Sequence, residues 1–360
     1  MYFALTDDQR FFGAAVRDYL TGKFDLDAVR AVVEDPGSDG NPAALWRAMG
    51  EQGWLAVLVP EEHDGLGLGM VDAQVIAREL GAGVAPGPWR GTVLAAEAIR
   101  LAGSASQRKR WLPGLAEGAA VGAAALRGSS ADGWPAVEYA EVADLIVAVD
   151  GGGSGLRLLR REEVTAARCE SFDGTTRLAS VTLADSAGEP LPGATAEVLD
   201  ELAARSAVLV AADLVGVARE ALTRTVDYDR ERKQFGVPVG SFQAIKHDLA
   251  DLHVAVTMAE HAVLYAAHAL DTAPATYPDT ALAVSVAKAK ASDTALLVTG
   301  AMIQYHGGIG FTWEHEAHFF YKRAKRLAGI AGTADEQRER IARLTFDHVG
   351  DNRSRSTRAL

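Results

Sequence analysis

A mainly α protein with a small β-domain in its middle is the fold class this sequence predicts, and three observations predict it. Apolar residues recur at helical spacing near the start, at Phe12, Val16 and Tyr19. They do so again late in the chain, at Ala211, Val215, Ala218 and Leu222 and then at Ile245, Leu249, Leu252 and Val256. Between these regions, from about Ala119, the pattern changes to short apolar or alternating runs parted by Gly, Asp and Ser, which is the signature of strands and turns.

The elements follow in order. Thr6 with Gln9 forms a capping box that opens the first helix. The loop Glu61 to Gly69 is too glycine-rich for a helix and parts two helical segments. A helix fits Val71 to Leu80, ended by Gly81 and Gly83, with a rigid corner at Pro86 and Pro88. Helical segments resume over Ala95 to Leu101 and Gln107 to Leu112, the second stopped by Pro113 and Gly114. Arg108, Lys109 and Arg110 read as a wet helix face. Strands are expected at Val121 to Leu126, Leu145 to Val149, Leu156 to Leu159 and Leu178 to Leu183. The run Gly151 to Gly155 lacks the spacing of a nucleotide fingerprint and reads as a hairpin turn. From Leu199 to about Val349 the chain is helical again. Its alanine-rich stretches around Ala203 and Ala211, and from Ala281 to Ala295, suit closely packed helices. The domains expected are 1–118 all-α, 119–197 β, 198–350 a helical bundle, and 351–360 a frayed polar tail.

Bulk properties narrow the function. A chain of 360 residues, 48% hydrophobic, can bury continuous cores in two or three domains. A net charge of -12 argues against nucleic acid as a partner, because a phosphate backbone calls for a basic face. The single cysteine, Cys169, can form neither an intrachain disulfide nor a cysteine metal site. The first eight residues turn acidic before a signal-like core could form, and no apolar run reaches the length of a membrane span. A cytoplasmic protein with no membrane association and no metal is expected.

The stretch Arg232 to Phe242 joins the two late helical patterns. Gly236, Pro238 and Gly240 break the helical period, and Ser241 is placed to cap the next helix. Arg230, Arg232 and Lys233 concentrate positive charge on an otherwise acidic chain. A guanidinium at a helix end suits a phosphate or pyrophosphate, since it can hold two oxygens at once. An ordinary solvated helix end has the same composition, and these residues alone leave both readings open.

The turn resembles the Arg-x-x-Phe-Gly-x-x-x-x-x-Phe-Gln signature of the acyl-CoA dehydrogenases, flavoproteins that oxidise acyl-CoA thioesters to enoyl-CoAs. The resemblance extends to Leu5-Thr6-Asp7-Asp8-Gln9, to Gly53-Trp54-Leu55 with Val59-Pro60-Glu61-Glu62, to Gly65-Leu66-Gly67, and to Gln304-Tyr305-His306-Gly307-Gly308-Ile309-Gly310. It covers the amino-terminal and carboxy-terminal thirds. It implies an N-terminal helical domain, a middle β-barrel-like domain and a C-terminal four-helix bundle. It also implies FAD shared across a subunit interface, held at its pyrophosphate and adenosine end by Arg232, Phe235, Gln304, Gly307, Gly308, Gly310 and Thr333.

The same resemblance shows losses. The family's catalytic glutamate precedes Gly-Thr, and here Ile330-Ala331-Gly332-Thr333 puts Ala331 in that place. Other members carry the base 26 residues before the arginine of the turn, and 232 − 26 = 206 is Ser206. Neither residue can take a proton from carbon. Glu201, five positions away, faces another direction on a helix. The family's Thr-Glu-Pro-x-x-Gly-Ser-Asp segment, which holds the flavin ring, is replaced by Ala125-Leu126-Arg127-Gly128-Ser129-Ser130-Ala131-Asp132-Gly133, and no Trp-Ile-Thr run follows.

No catalytic residue is therefore assigned. The resemblance implies the non-catalytic subunit of an actinobacterial, steroid side-chain type heterotetramer, whose homologous catalytic partner binds the acyl-CoA and passes electrons to an electron-transfer flavoprotein. Two alternatives stand beside it: an active homo-oligomer using Glu201, and an inactive scaffold on the same fold. Glu314, His315, Glu316 and His318 form a titratable cluster without metal-ligand spacing, for which a structural role is expected.

Overall fold

The computed structural model of the chain describes residues 4–150, 155–184 and 188–356, the last ten as backbone only. It divides into two compact units, one ending at Ser206 and one beginning at Ala207.

The first unit opens with six helices: α1 (Asp7–Lys23), α2 (Leu26–Glu34), α3 (Ala43–Glu51), α4 (Met70–Ala82), α5 (Trp89–Ala102) and α6 (Ala105–Glu117). The capping box expected at Thr6 is present, with Gln9 N–H donating to the Thr6 hydroxyl and Thr6 N–H to the Gln9 side chain. Pro113 does not stop α6, contrary to expectation: the helix runs on to Glu117 and ends at Gly118 in the left-handed region. Proline removes one N–H, and its would-be acceptor lies on exposed Lys109, where water can replace the bond. Leu112, Leu115 and Ala116 are meanwhile buried in the core, which favours continuing the helix.

Seven strands follow: β1 (Gly122–Ala125), β2 (Trp134–Glu138), β3 (Leu145–Val149), β4 (Leu156–Arg160), β5 (Val164–Cys169), β6 (Leu178–Leu183) and β7 (Glu189–Pro190). They form a four-stranded sheet in the order β1-β3-β4-β7 and a three-stranded sheet in the order β2-β6-β5. The four strands expected from the sequence are all there, and the two-residue β7 is additional, as are β2 and β5. Both lie on the edges of the small sheet, where Pro135 and the exposed polar face of β5 blur the alternation that marks a strand. The loop at Gly151 to Ser154 lies outside the described residues, and β3 and β4 on either side of it pair antiparallel.

One core joins Ala95, Ile99, Leu112 and Leu115 of α5 and α6 to Leu145, Val147 and Leu158 of β3 and β4. A second, around Trp134, Ile146, Leu159 and Val181, fills the space between the sheets. Helices and sheets up to Ser206 thus pack as one compact unit.

Helix α7 (Ala196–Glu231) leads into the second unit, which adds the two-residue strands β8 (Lys233–Gln234) and β9 (Val237–Pro238) and the helices α8 (Gln243–Thr272), α9 (Pro278–His306), α10 (Ala317–Ala328) and α11 (Ala334–Ser356). The tail expected from residue 351 is helical as far as Ser356. The bundle holds one fully buried ion pair, in which Arg323 Nε and Nη2 donate to Asp213 Oδ1 and Oδ2 at 2.9 and 2.7 Å. No helix among the described residues is long and apolar enough to cross a membrane.

Candidate nucleotide clamp

The stretch after α7 is a tight hairpin. Lys233 pairs with Pro238 and Gln234 with Val237, leaving Phe235 and Gly236 as the two-residue turn, both with positive φ, at 53° and 83°. That is the backbone a two-residue hairpin requires, and glycine adopts it readily whereas phenylalanine does not. Phe235 is nonetheless held there, 94% exposed, edge-to-face with Phe242 at a centroid distance of 6.3 Å. Such a backbone is costly and persists only where its surroundings hold it. Arg232, at the base of the hairpin, is exposed and has no side-chain partner among the described residues. Ser241 does not cap α8, as its position had suggested. Its hydroxyl donates to Pro238 O at 2.6 Å and tightens the turn, and Phe242 takes the cap position without a side-chain bond.

The second element of the clamp is the end of α9. Gln304 is exposed, with no side-chain bond among the described residues, and Gly307 follows at φ 63°, ψ -140°, a conformation open to glycine alone. Gly308 has ordinary helical angles, and a Cβ added to it would meet nothing within 4 Å. The chain itself therefore has no need of glycine there, and the space it leaves faces outward. Gly310 is different: it is buried, and a Cβ would lie 2.8 Å from His306 Cβ and 2.8 Å from Ile303 O. Gly310→Ala is expected to destabilise the bundle, read as a lower thermal midpoint. Gly308→Ala should leave that midpoint unchanged and weaken only nucleotide binding.

The two elements meet. Tyr228, one turn before Arg232, stacks on His306 with centroids 4.3 Å apart and donates to its carbonyl oxygen at 3.4 Å. Burial lowers the His306 pKa, and His306 Nδ1–H donates to Met302 O at 2.7 Å, so the ring is a neutral packing piece. On the neighbouring helix Asp248 accepts a short hydrogen bond from Tyr305. The titratable cluster near residue 315 serves the same scaffold. His315 packs on His306, Glu316 accepts from Arg224 at 3.0 Å, and His318 stacks on Trp313 beneath Lys322. No group of three His, Cys, Asp or Glu among the described residues could hold a metal ion.

Thr333 precedes α11. Its N–H and hydroxyl both donate to Glu336, and Glu336 N–H donates back, closing the cap of α11. This corner is fixed to the other part of α9. Buried Lys288 donates to Ala328 O and Gly332 O at 3.2 and 2.9 Å, and Gln337 donates to Ala331 O at 2.8 Å. Lys288 and Gln304 are 16 residues apart on one helix, about 24 Å at 1.5 Å per residue. Ala331 presents only a methyl group, on a backbone held at φ 55°.

The other sites considered for a base are committed elsewhere. Arg205 donates to Glu201 at 2.7 Å and to Glu97 at 3.2 Å, and Arg100 donates to Glu97. Glu201 thus belongs to a charge network that secures the first unit. In the segment after β1, Ser129 donates to Asp132 and accepts from its N–H, and Ser130 donates to Asp150, itself paired with Arg157. These hydroxyls are bonded to neighbours in the chain.

Comparison with known proteins agrees with this architecture. Residues 6–119 match the family described as acyl-CoA dehydrogenase, N-terminal domain, and residues 197–345 match acyl-CoA dehydrogenase, C-terminal domain. The acyl-CoA dehydrogenase IpdE2 of Mycolicibacterium smegmatis is 37% identical over 324 residues, 89% of this chain and 93% of that protein. The solved Tcur3481-Tcur3483 steroid ACAD, in its G363A variant, superposes with a TM-score of 0.84 at 27% identity, over 96% of this chain and 99% of that one. The ChsE4-ChsE5 complex from Mycobacterium tuberculosis shares the fold, with a TM-score of 0.85 at 24% identity, over 95% of this chain and 98% of that one.

Proposed function

The chain belongs to the acyl-CoA dehydrogenase family of FAD-dependent oxidoreductases, and we propose that within it the chain is a non-catalytic subunit that completes the FAD site of a homologous catalytic partner. The observation that carries this reading is an asymmetry. Arg232, Phe235, Gln304, Gly307 and Gly308 are all present and exposed, while position 331 offers only a methyl group and the hydroxyls of Ser129 and Ser130 are bonded to Asp132 and Asp150.

The residues present fit one end of FAD. Arg232 would hold pyrophosphate oxygens through paired N–H donors, the Gln304 amide would both donate and accept, and Gly307 and Gly308 would let backbone come close to the nucleotide. Phe235 would cover an apolar edge and keep water from it. FAD supplies the hydride acceptor when bound. The carboxylate that takes the α-proton belongs, on this reading, to the partner. Gly310 supports the loop from beneath, and Thr333 fixes the start of α11 through Glu336.

The paired Tcur3481-Tcur3483 steroid ACAD supports a two-component enzyme acting on a steroid-derived acyl-CoA; an electron-transfer flavoprotein is the acceptor that the family resemblance implies. An active homo-oligomer relying on Glu201 finds no support, because that carboxylate is spent on Arg205. The test is co-expression with neighbouring reading frames, followed by native mass measurement and an acyl-CoA oxidation assay. A mixed assembly that oxidises acyl-CoA, beside an inactive chain purified alone, is expected. Turnover by the chain alone would reject the proposal.

A further inference from the structure

Asp229 lies one helical turn before Arg232 in α7. It is 1% exposed, and neither of its carboxylate oxygens has a hydrogen-bond partner among the described residues. The turn Val239–Ser241 closes over it, so that a Cβ placed on Gly240 would lie 3.1 Å from the Asp229 carbonyl oxygen and 3.4 Å from its Cβ. A ligand cannot reach a group so covered, and leaving it ionised without a hydrogen bond is costly. A proton is the remaining way to neutralise it.

The surrounding titratable groups give little relief. From α9 comes Tyr305, whose hydroxyl is given to Asp248 of α8. On its own helix end and hairpin stand Arg230, Arg232 and Lys233, all exposed, with Arg230 turned to Asp227 at 3.6 Å. Burial raises the Asp229 pKa from 3.8 to about 6. Tyr305 is pushed up to about 12 by burial, by its bond to Asp248, and by the charges of Asp248 and Asp229.

We propose that Asp229 is a proton-linked counter-charge beneath the clamp, opposing a bound pyrophosphate when ionised and leaving Arg232 and Lys233 unopposed when protonated. The inference rests on reading Arg232 as a nucleotide clamp. Linkage is reciprocal: if protonation favours the anion, the anion favours protonation, so binding takes up a proton at this residue.

Calorimetry of ADP binding to the full chain, in two buffers of different ionisation enthalpy, reads that uptake directly. Wild-type protein is expected to take up a fraction of a proton near pH 6.5, while Asp229→Asn and Asp229→Leu take up none. The variants should bind ADP several-fold more tightly than wild type at pH 7.5, and Asp229→Asn should match wild type at pH 5. A measurement without ligand stands beside it. Between pH 4 and 6 folded Asp229 keeps a proton that the unfolded chain has released, so stability falls as pH rises through that window, and Asp229→Asn flattens the fall. ADP binding that is lost with Arg232→Ala yet takes up no proton in wild type overturns the inference and leaves the clamp standing. No ADP binding, or binding indifferent to Arg232→Ala, overturns the clamp and the inference with it.

Discussion

Arg232→Ala is expected to strip FAD from the assembled enzyme while leaving the assembly itself intact. Arg232 is exposed and has no side-chain partner among the described residues, so its loss should break no contact there. On the proposed reading it removes the charge-assisted contact with pyrophosphate, worth about 1.5–3 kcal/mol for each bond. Two such bonds would lower flavin affinity at least a hundredfold at about 1.4 kcal/mol per factor of ten. Flavin absorbance after gel filtration reads the loss, and native mass reads the assembly. Lysine at this position should restore only part of the affinity, since an ammonium lacks the planar fork that meets two oxygens. Full flavin content in Arg232→Ala would make Arg232 an ordinary surface cation.

Arg323→Ala should produce the largest loss of stability. Arg323 and Asp213 bind each other through two hydrogen bonds with side chains only 7% and 8% exposed. Removing one partner breaks both hydrogen bonds of a buried charge pair, which costs about 3–5 kcal/mol. Replacing both, as in Asp213→Leu with Arg323→Leu, removes both buried charges and should recover most of the loss. Denaturant unfolding of the two single variants and the double variant gives the comparison. Equal stability of Arg323→Ala and wild type would mean that the pair is not formed in solution.

The sequence showed the helical and strand regions because their periods are distinct, and it marked the hairpin at Arg232 and the turn at Gly307 because glycines and an Arg-x-x-Phe-Gly pattern stand there. It hid β2 and β5, whose edge positions relax the alternation, and it placed a helix stop at Pro113 where the buried Leu115 and Ala116 carry α6 through. Thr333 followed the family motif in order, yet its donors serve Glu336. Spacing along the chain cannot show which partner a hydroxyl takes. Asp229 drew no attention for a related reason, since its carboxyl differs from its surface neighbours only once the turn at Gly240 covers it. His306 lies within the Gln304 to Gly310 stretch, but its stacking on Tyr228, which brings the two elements together, needs both helices in place.

The asymmetry between an outward clamp and a missing base makes a countable claim about flavin. In the purified mixed assembly each catalytic partner should hold one FAD and this chain none through its own β-domain, giving one flavin for every two chains. The measurement is flavin absorbance against chain content by quantitative amino-acid analysis. A ratio near one half, with no flavin on this chain alone, is the predicted result. A ratio near one, or stoichiometric flavin on the isolated chain, would contradict it.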